Sequence, residues 1–363
     1  MHYFIFANKD STVYNDKPNA NTGKDEILEI QKGFISSSYE GIVSGSILSR
    51  ALVQFDLNYI SRSIIDGTIT NPRFYLNLYL CQIFGQEENT NLYIYALSQS
   101  WVQGVGKRFD DTPRHKGVSW IYRDGEASLS WNSAGSDYIA SSLITASLFI
   151  DENKFQETGN YTYELSDLRA DITPIVNEWL FTGSYSNNGL LIKRSDSEEQ
   201  DGKDYGLIQF YSTDTHTIYN PKLEVAWDDS LINTSSLSQS NADDMFVYAK
   251  NLQATYNNRD KVRFKFGCRP KYPARSYTTS NPYAVNWYLP TSSYYSIVDS
   301  NTLETIIPFD TGSTKMSCDS EGNYFDLILN SFHPERNYRI KIKVVSGSFQ
   351  QVFEIPQSFK VIR

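Results

Sequence analysis

The chain has 363 residues, a formal net charge of −9 and 14% aromatic residues, led by 26 Tyr and 20 Phe. No run approaches the roughly 18 apolar residues of a bilayer-spanning helix, and no Lys/Arg cluster offers a nucleic-acid footprint, so neither partner is expected. Cys81, Cys268 and Cys318 are odd in number and widely spaced, which excludes a disulfide or zinc framework and reads as buried free thiols.

The opening MHYFIFA run is too short for a secretory apolar region and lacks a basic flank. The mature chain is therefore expected to begin at Met1 and to fold in a cytosol. Strand patterns then follow one another. In Arg50–Leu57, Ala51, Val53, Phe55 and Leu57 share a face; in Phe74–Leu80, Phe74, Leu76, Leu78 and Leu80 do; Leu92–Ala96 alternates aliphatic and Tyr. Period-two alternation of this kind calls for half-buried antiparallel strands. Shorter strands fit Gly189–Lys193, Leu207–Tyr211 and Leu223–Trp227, with turns at Asp66-Gly67, Asp124-Gly125 and Asn187-Asn188-Gly189. One helix is predicted over Asp171–Gly183. Ile172, Ile175, Val176, Trp179 and Leu180 follow helical spacing, Thr173 is placed to cap, Pro174 opens and Gly183 closes it. It reads as a lid on the end of a sandwich, with Trp179 in the core. No repeat period appears, which argues against a solenoid.

The stretch Asp228–Asp244, rich in Ser, Asn and Asp, reads as a linker over 230–244 between residues 1–229 and 245–363. Beyond it, Val262–Phe266, Tyr324–Leu329, Tyr338–Val345 and Phe359–Ile362 belong to about seven short strands, the pattern of an immunoglobulin-like sandwich in which Tyr338 can act as a corner residue. Residues 230–363 hold 15 Lys+Arg against 11 Asp+Glu, a net of +4, and the rest of the chain holds 18 against 31, a net of −13. Opposite signs suit docking of the basic part on an acidic partner or contacts between copies; two ordinarily solvated surfaces are the other reading.

Catalytic constellations are not found. His2, His115, His216 and His333 form no spaced metal pair, no Gly-x-Ser-x-Gly elbow occurs, and Gly104-Val105-Gly106 lacks the third glycine and helix of a dinucleotide site. Acidic neighbours such as Asp110-Asp111 and Glu198-Glu199 point apart on strands or into water in loops. The loop Ser195–Asp204 is oxygen-rich but lacks a calcium-loop spacing, so it reads as solvated and no cofactor is expected. The densest stretch is an insertion at about 101–147, where Trp101, Trp120, Tyr122, Arg123 and Trp131 stand among Gly and Asp. These side chains suit packing or subunit contact, or alternatively stacking on a sugar.

Several strings occur in a familiar order: PNANTG (Pro18–Gly23), RALVQFDL (Arg50–Leu57), LYIYALSQSWVQG (Leu92–Gly104), DITPIVNEW (Asp171–Trp179), NNGLLIK (Asn187–Lys193) and QFYSTD with NPKLEV (Gln209–Val225). From about residue 8 to 227 the chain resembles the DNRLRE-type carbohydrate-binding module, apart from a longer insertion at Lys107–Ser147. GVSWIYRD, YLPTSSYYSI, CDSEGNYFDL, HPERNYRI and the closing FKVIR are similar to virion structural proteins of tailed cyanophages and their relatives. The resemblance implies an all-β chain with an N-terminal jelly-roll β-sandwich before the immunoglobulin-like one. It implies a non-enzymatic virion component of neck, tail or head surface, made in the host cytoplasm, with other virion proteins and further copies of itself as partners. Recognition of a host polysaccharide is the alternative that it carries.

Overall fold

Apolar alternation along most of the chain gives an all-β protein, with 47% of it in strands and 9% in helices. The computed structural model describes residues 1–35, 45–85, 89–149, 166–235, 237–241, 244–272 and 287–363. They fall into two units, one of Ile5–Ile65 with Arg73–Glu224, the other of Met1–Phe4, Asp66–Pro72 and Val225–Arg363.

In chain order, β1 (His2–Tyr14), β2 (Ile27–Ile35), β3 (Gly45–Phe55), α1 (Asn58–Ile65), β4 (Arg73–Leu78), β5 (Leu80–Phe84) and β6 (Thr90–Ala96) come first. The insertion carries a hairpin, β7 (Tyr122–Asp124) and β8 (Leu129–Ser130). Then follow β9 (Ile144–Leu148), β10 (Leu168–Asp171), α2 (Thr173–Asn177), a π-helical turn (Glu178–Thr182), β11 (Leu190–Lys193), α3 (Asp196–Gln200), β12 (Gly206–Tyr211) and β13 (Lys222–Ala226). One path of pairing runs β10-β4-β13-β1-β3-β11-β6-β9, and a second joins β3 through β2 to β12 and β5. Strand β3 serves both by changing partner along its length: Gly45–Leu48 pairs with β2 and Ser49–Phe55 with β1.

The predicted alternation holds on β4, where Phe74, Leu76 and Leu78 are buried. It fails on β3 and β11, where Ala51, Leu52, Val53 and Leu190, Leu191, Ile192 are buried on both faces. The second face is covered by the insertion. Leu52, Leu191, Val13 and Tyr95 pack there against Trp101, Val118 and Trp131.

In the other unit, β14 (Ser238–Gln239), β15 (Met245–Ala249), β16 (Thr255–Asn257), β17 (Lys261–Pro270), β18 (Trp287–Tyr288) and β19 (Ser293–Asp299) come first. They are followed by β20 (Thr305–Ile307), β21 (Ser317–Asp319), β22 (Gly322–Ile328), β23 (Asn337–Ser346) and β24 (Phe349–Ile362). Sheets β14-β18-β17-β22-β21, with β15 on β17, and β16-β24-β23-β19-β20 share one core. Tyr295 stacks on Phe325 with ring centroids 4.0 Å apart, and Phe264 and Phe266 flank Phe325. The Tyr338 hydroxyl donates to the His333 carbonyl at 3.1 Å, the backward corner bond expected of it.

Four expectations are corrected. The described part of 230–244 is not free chain: β14 pairs with β18, Leu231 N–H donates to Ser317 Oγ at 3.1 Å, and Ile232 bridges Cys318. Its few apolar residues did not reveal this, because main-chain pairing does not depend on them. Thr173 does not cap its helix; Asp171 Oδ1 accepts Thr173 N–H at 2.9 Å, and Thr173 Oγ1 accepts Phe74 N–H at 2.8 Å. Trp179 falls on the π turn, where the extra residue rotates it out of the α-helical stripe, and it is half-buried rather than core. Cys81 is exposed, on β5, whereas Cys268 and Cys318 are buried.

Candidate functional site

The insertion leaves β6 at Ala96 and returns at β9. Trp101 is 3% exposed, its Nε1–H donates to the Asn188 carbonyl at 3.0 Å, and Lys9 Nζ sits 4.4 Å over the ring. Trp131 is 5% exposed and donates to the Ser119 carbonyl at 3.0 Å. Both indoles are therefore core, which matches the packing alternative for these residues and not the subunit-contact or sugar-stacking ones. They serve to bury the outer face of the β1–β3–β11–β6 strands. Trp120, Tyr122 and Arg123 are half-buried. Trp120 lies under the Arg50 guanidinium at 4.9 Å, Tyr122 sits in the β7–β8 hairpin, and Arg123 Nη1 donates to the Ser100 carbonyl at 3.1 Å.

One buried side chain pins the loop. Asn21 Nδ2 donates to the Gln103 carbonyl at 2.6 Å and the Val118 carbonyl at 2.8 Å, while its Oδ1 accepts Gly106 N–H at 2.8 Å. Backbone this close leaves no room for a side chain: a Cβ on Gly104 would overlap Asn21 Oδ1, and one on Gly125 would overlap the His115 carbonyl. Gly104 and Gly117 also hold φ of +81° and +110°, a region that favours glycine. At the loop's root, Arg108 bonds Glu29 at 3.1 Å and lies 3.8 Å over the Tyr14 ring, whose hydroxyl donates to Glu29 at 2.8 Å. Burial raises the neighbouring Asp25 carboxyl to about 6. Among the charged side chains that the loop turns outward, such as Lys107, Arg114 and Lys116, three apolar ones are also displayed: Val102 and Val105 are exposed, and Phe109 is 83% exposed.

The acidic stretch read as a solvated loop folds as α3, whose N-terminus is a capping box formed by Ser195 and Glu198. It delivers buried Glu199 to two cations. Arg50 meets Glu199 through Nε at 3.0 Å and Nη2 at 2.6 Å, and Lys193 Nζ lies 2.9 Å from it. Lys193 also donates to Asp196 and so holds that carboxyl below the usual range. These carboxylates are committed to cations, and among the described residues no group of three His, Cys, Asp or Glu gathers in a metal-binding arrangement.

A cleft of about 460 Å³ opens between the end of β3, α1 and the π turn. Gln54 Nε2 donates to the Asn187 carbonyl at 2.7 Å and Asn187 Nδ2 to the Phe55 carbonyl at 2.9 Å, which fixes its wall. Asp56 Oδ1 accepts Asn58 N–H at 2.9 Å. Trp179 lines the cleft, and among the described residues its buried Nε1–H has no hydrogen-bond partner. The π turn signals this site only in hindsight, since the spacing of 172–180 also fits an ordinary helix.

Fold and sites together define an all-β chain built of several sheets, with an inserted loop anchored by Asn21 and a polar cleft. No family model and no curated protein matches the chain. Among solved structures, the adhesin domain of Epf from Streptococcus pyogenes aligns over 98% of this chain and 92% of that chain, at 12% identity and a TM-score of 0.17. A β-glucuronidase from Parabacteroides merdae aligns over 96% of this chain and 35% of that chain, at 10% identity and a TM-score of 0.19. Likeness this slight carries no argument about fold or function.

Proposed function

We propose that the chain is a non-enzymatic structural component of a tailed-phage virion that acts by protein–protein assembly, made in the host cytoplasm and incorporated in several copies. In this reading the first unit is a jelly roll and the second an immunoglobulin-like sandwich; the Tyr338 corner bond favours the latter. One observation carries the reading: the insertion turns its indoles inward and presents Val102, Val105 and Phe109 outward on a loop pinned from within. Exposed apolar side chains on a pre-organised loop suit burial against another protein. The test adds full-length protein, wild type or Val105→Glu/Phe109→Glu, to particles lacking it. Wild type is expected to co-sediment with the particles and the double variant to stay in solution with an unchanged melting temperature. Equal incorporation of both removes the loop from the interface, and failure of wild type to attach removes the virion reading.

Glycan recognition is the second reading, and the Trp179 cleft favours it over the insertion. A buried donor without a protein partner costs about 1–3 kcal/mol, which a ligand acceptor would recover. A glycan array with wild type and Trp179→Phe tests it, since the substitution keeps a ring and deletes only the donor. No binding by wild type ends this reading.

A further inference from the structure

Strand β24 is paired with β23 along Phe349–Glu354 and again along Ser358–Lys360, but β16 covers its other edge only at Lys360–Ile362. Among the described residues no strand is hydrogen-bonded to the outer edge of 349–358, although β15 approaches β24. An edge of this length presents a row of main-chain N–H and C=O groups to any passing strand. Phe349–Glu354 has no Lys and no Pro; Glu354 is its one charge, and the features that blunt an edge, Pro356 and the bulge against β23 between Glu354 and Ser358, come only at its end. Its core-facing row, Phe349, Gln351 and Phe353, is only half-buried, so the apolar layer stops short at this edge.

We infer that this edge is a self-pairing surface, on which β24 of a second copy lies antiparallel about a two-fold axis through Val352, joining two five-stranded sheets into one. The register follows from side-chain chemistry. Core-facing residues must oppose core-facing residues, so the axis passes through a residue rather than between two. Centred on Val352, which is 47% exposed, Gln350 opposes Glu354, Gln351 opposes Phe353, and Phe349 opposes Ile355. No like charges meet, and the apolar row runs on into the partner. Centring on Glu354 would set two carboxylates face to face, which is unfavourable. The isologous contact suits a homodimer. A ladder this short lies at or below the small end of stable interfaces, so the dimer is concentration-dependent. The inference gives a place to the self-assembly of the proposed function, but it stands on the edge alone.

The experiment is sedimentation equilibrium of the full chain from about 1 µM to about 1 mM, the span of weak to moderate association. Wild type is expected to pass from monomer to dimer, with amide exchange of 349–355 slowing as the dimer forms. Val352→Lys sets two ammonium groups against each other at the axis and is expected to remain monomeric with the wild-type melting temperature at low concentration. Val352→Thr, which keeps β-branching without charge, is expected to dimerise. A wild type that stays monomeric at about 1 mM overturns the inference, as does a Val352→Lys chain that dimerises like wild type. Neither result bears on attachment to particles, which is measured separately.

Discussion

Replacing Asp10 by Asn isolates one buried charge. Asp10 lies on β1, fully buried, with Oδ2 accepting Thr213 N–H at 2.7 Å and Oδ1 accepting Thr213 Oγ1–H at 2.8 Å. Burial raises its carboxyl from an ordinary 3.8 to about 7, because two bonds from one threonine offset only part of the lost hydration. The native state thus keeps a proton that the unfolded chain gives up near pH 4. Stability from this group is greatest at low pH, falls as pH rises from about 4 to about 7, and is flat above that. A shift of about 3 units corresponds to roughly 4 kcal/mol in total, of which about 3 kcal/mol falls between pH 5 and pH 8. The carboxamide introduced by Asp10→Asn would keep both contacts, accepting Thr213 N–H and donating to Thr213 Oγ1, and it does not titrate. Guanidinium unfolding of both chains at pH 5, 6, 7 and 8 should show the stability of Asp10→Asn gaining on wild type by roughly 3 kcal/mol across that range. Parallel pH profiles would refute the argument, and so would a variant that loses ground at pH 8.

The same Tyr→Phe change should act with opposite signs at two sites. Tyr295 carries a buried hydroxyl without a partner among the described residues, so Tyr295→Phe should stabilise by about 1 kcal/mol and raise the melting temperature. Tyr338→Phe should cost roughly 0.5–1.5 kcal/mol, since it gives up the bond to the His333 carbonyl. Asn21→Ala strands two carbonyls and an amide of the insertion and should cost at least about 2 kcal/mol, with the first protease cuts moving into 102–125; an unchanged digestion pattern would show that the loop does not depend on this residue.

Most strands were legible because their signal is local. Phe74, Leu76 and Leu78 alternate and are buried on β4, and Val262 to Phe266 fall within β17. The two-faced strands left a trace that alternation overlooks: the consecutive runs Ala51-Leu52-Val53 and Leu190-Leu191-Ile192 already indicate cover on both sides. The direction of Trp101 and Trp131 was not legible, because an irregular loop has no period to assign a face. Nor was the burial of Glu199, whose partner Arg50 lies 149 positions away in the chain. The Trp179 cleft escaped for a third reason, since one added residue in a helical turn changes which way an indole points without changing composition.

Asn21 grips the insertion only through main-chain atoms: two carbonyls and the Gly106 amide. The exposed apolar side chains Val102, Val105 and Phe109 take no part in that grip. Shape and display are therefore separable in this loop. Substitutions can accumulate on its outer surface while the path of the backbone stays as it is. Grafted residues at these three positions would inherit a geometry already fixed beneath them.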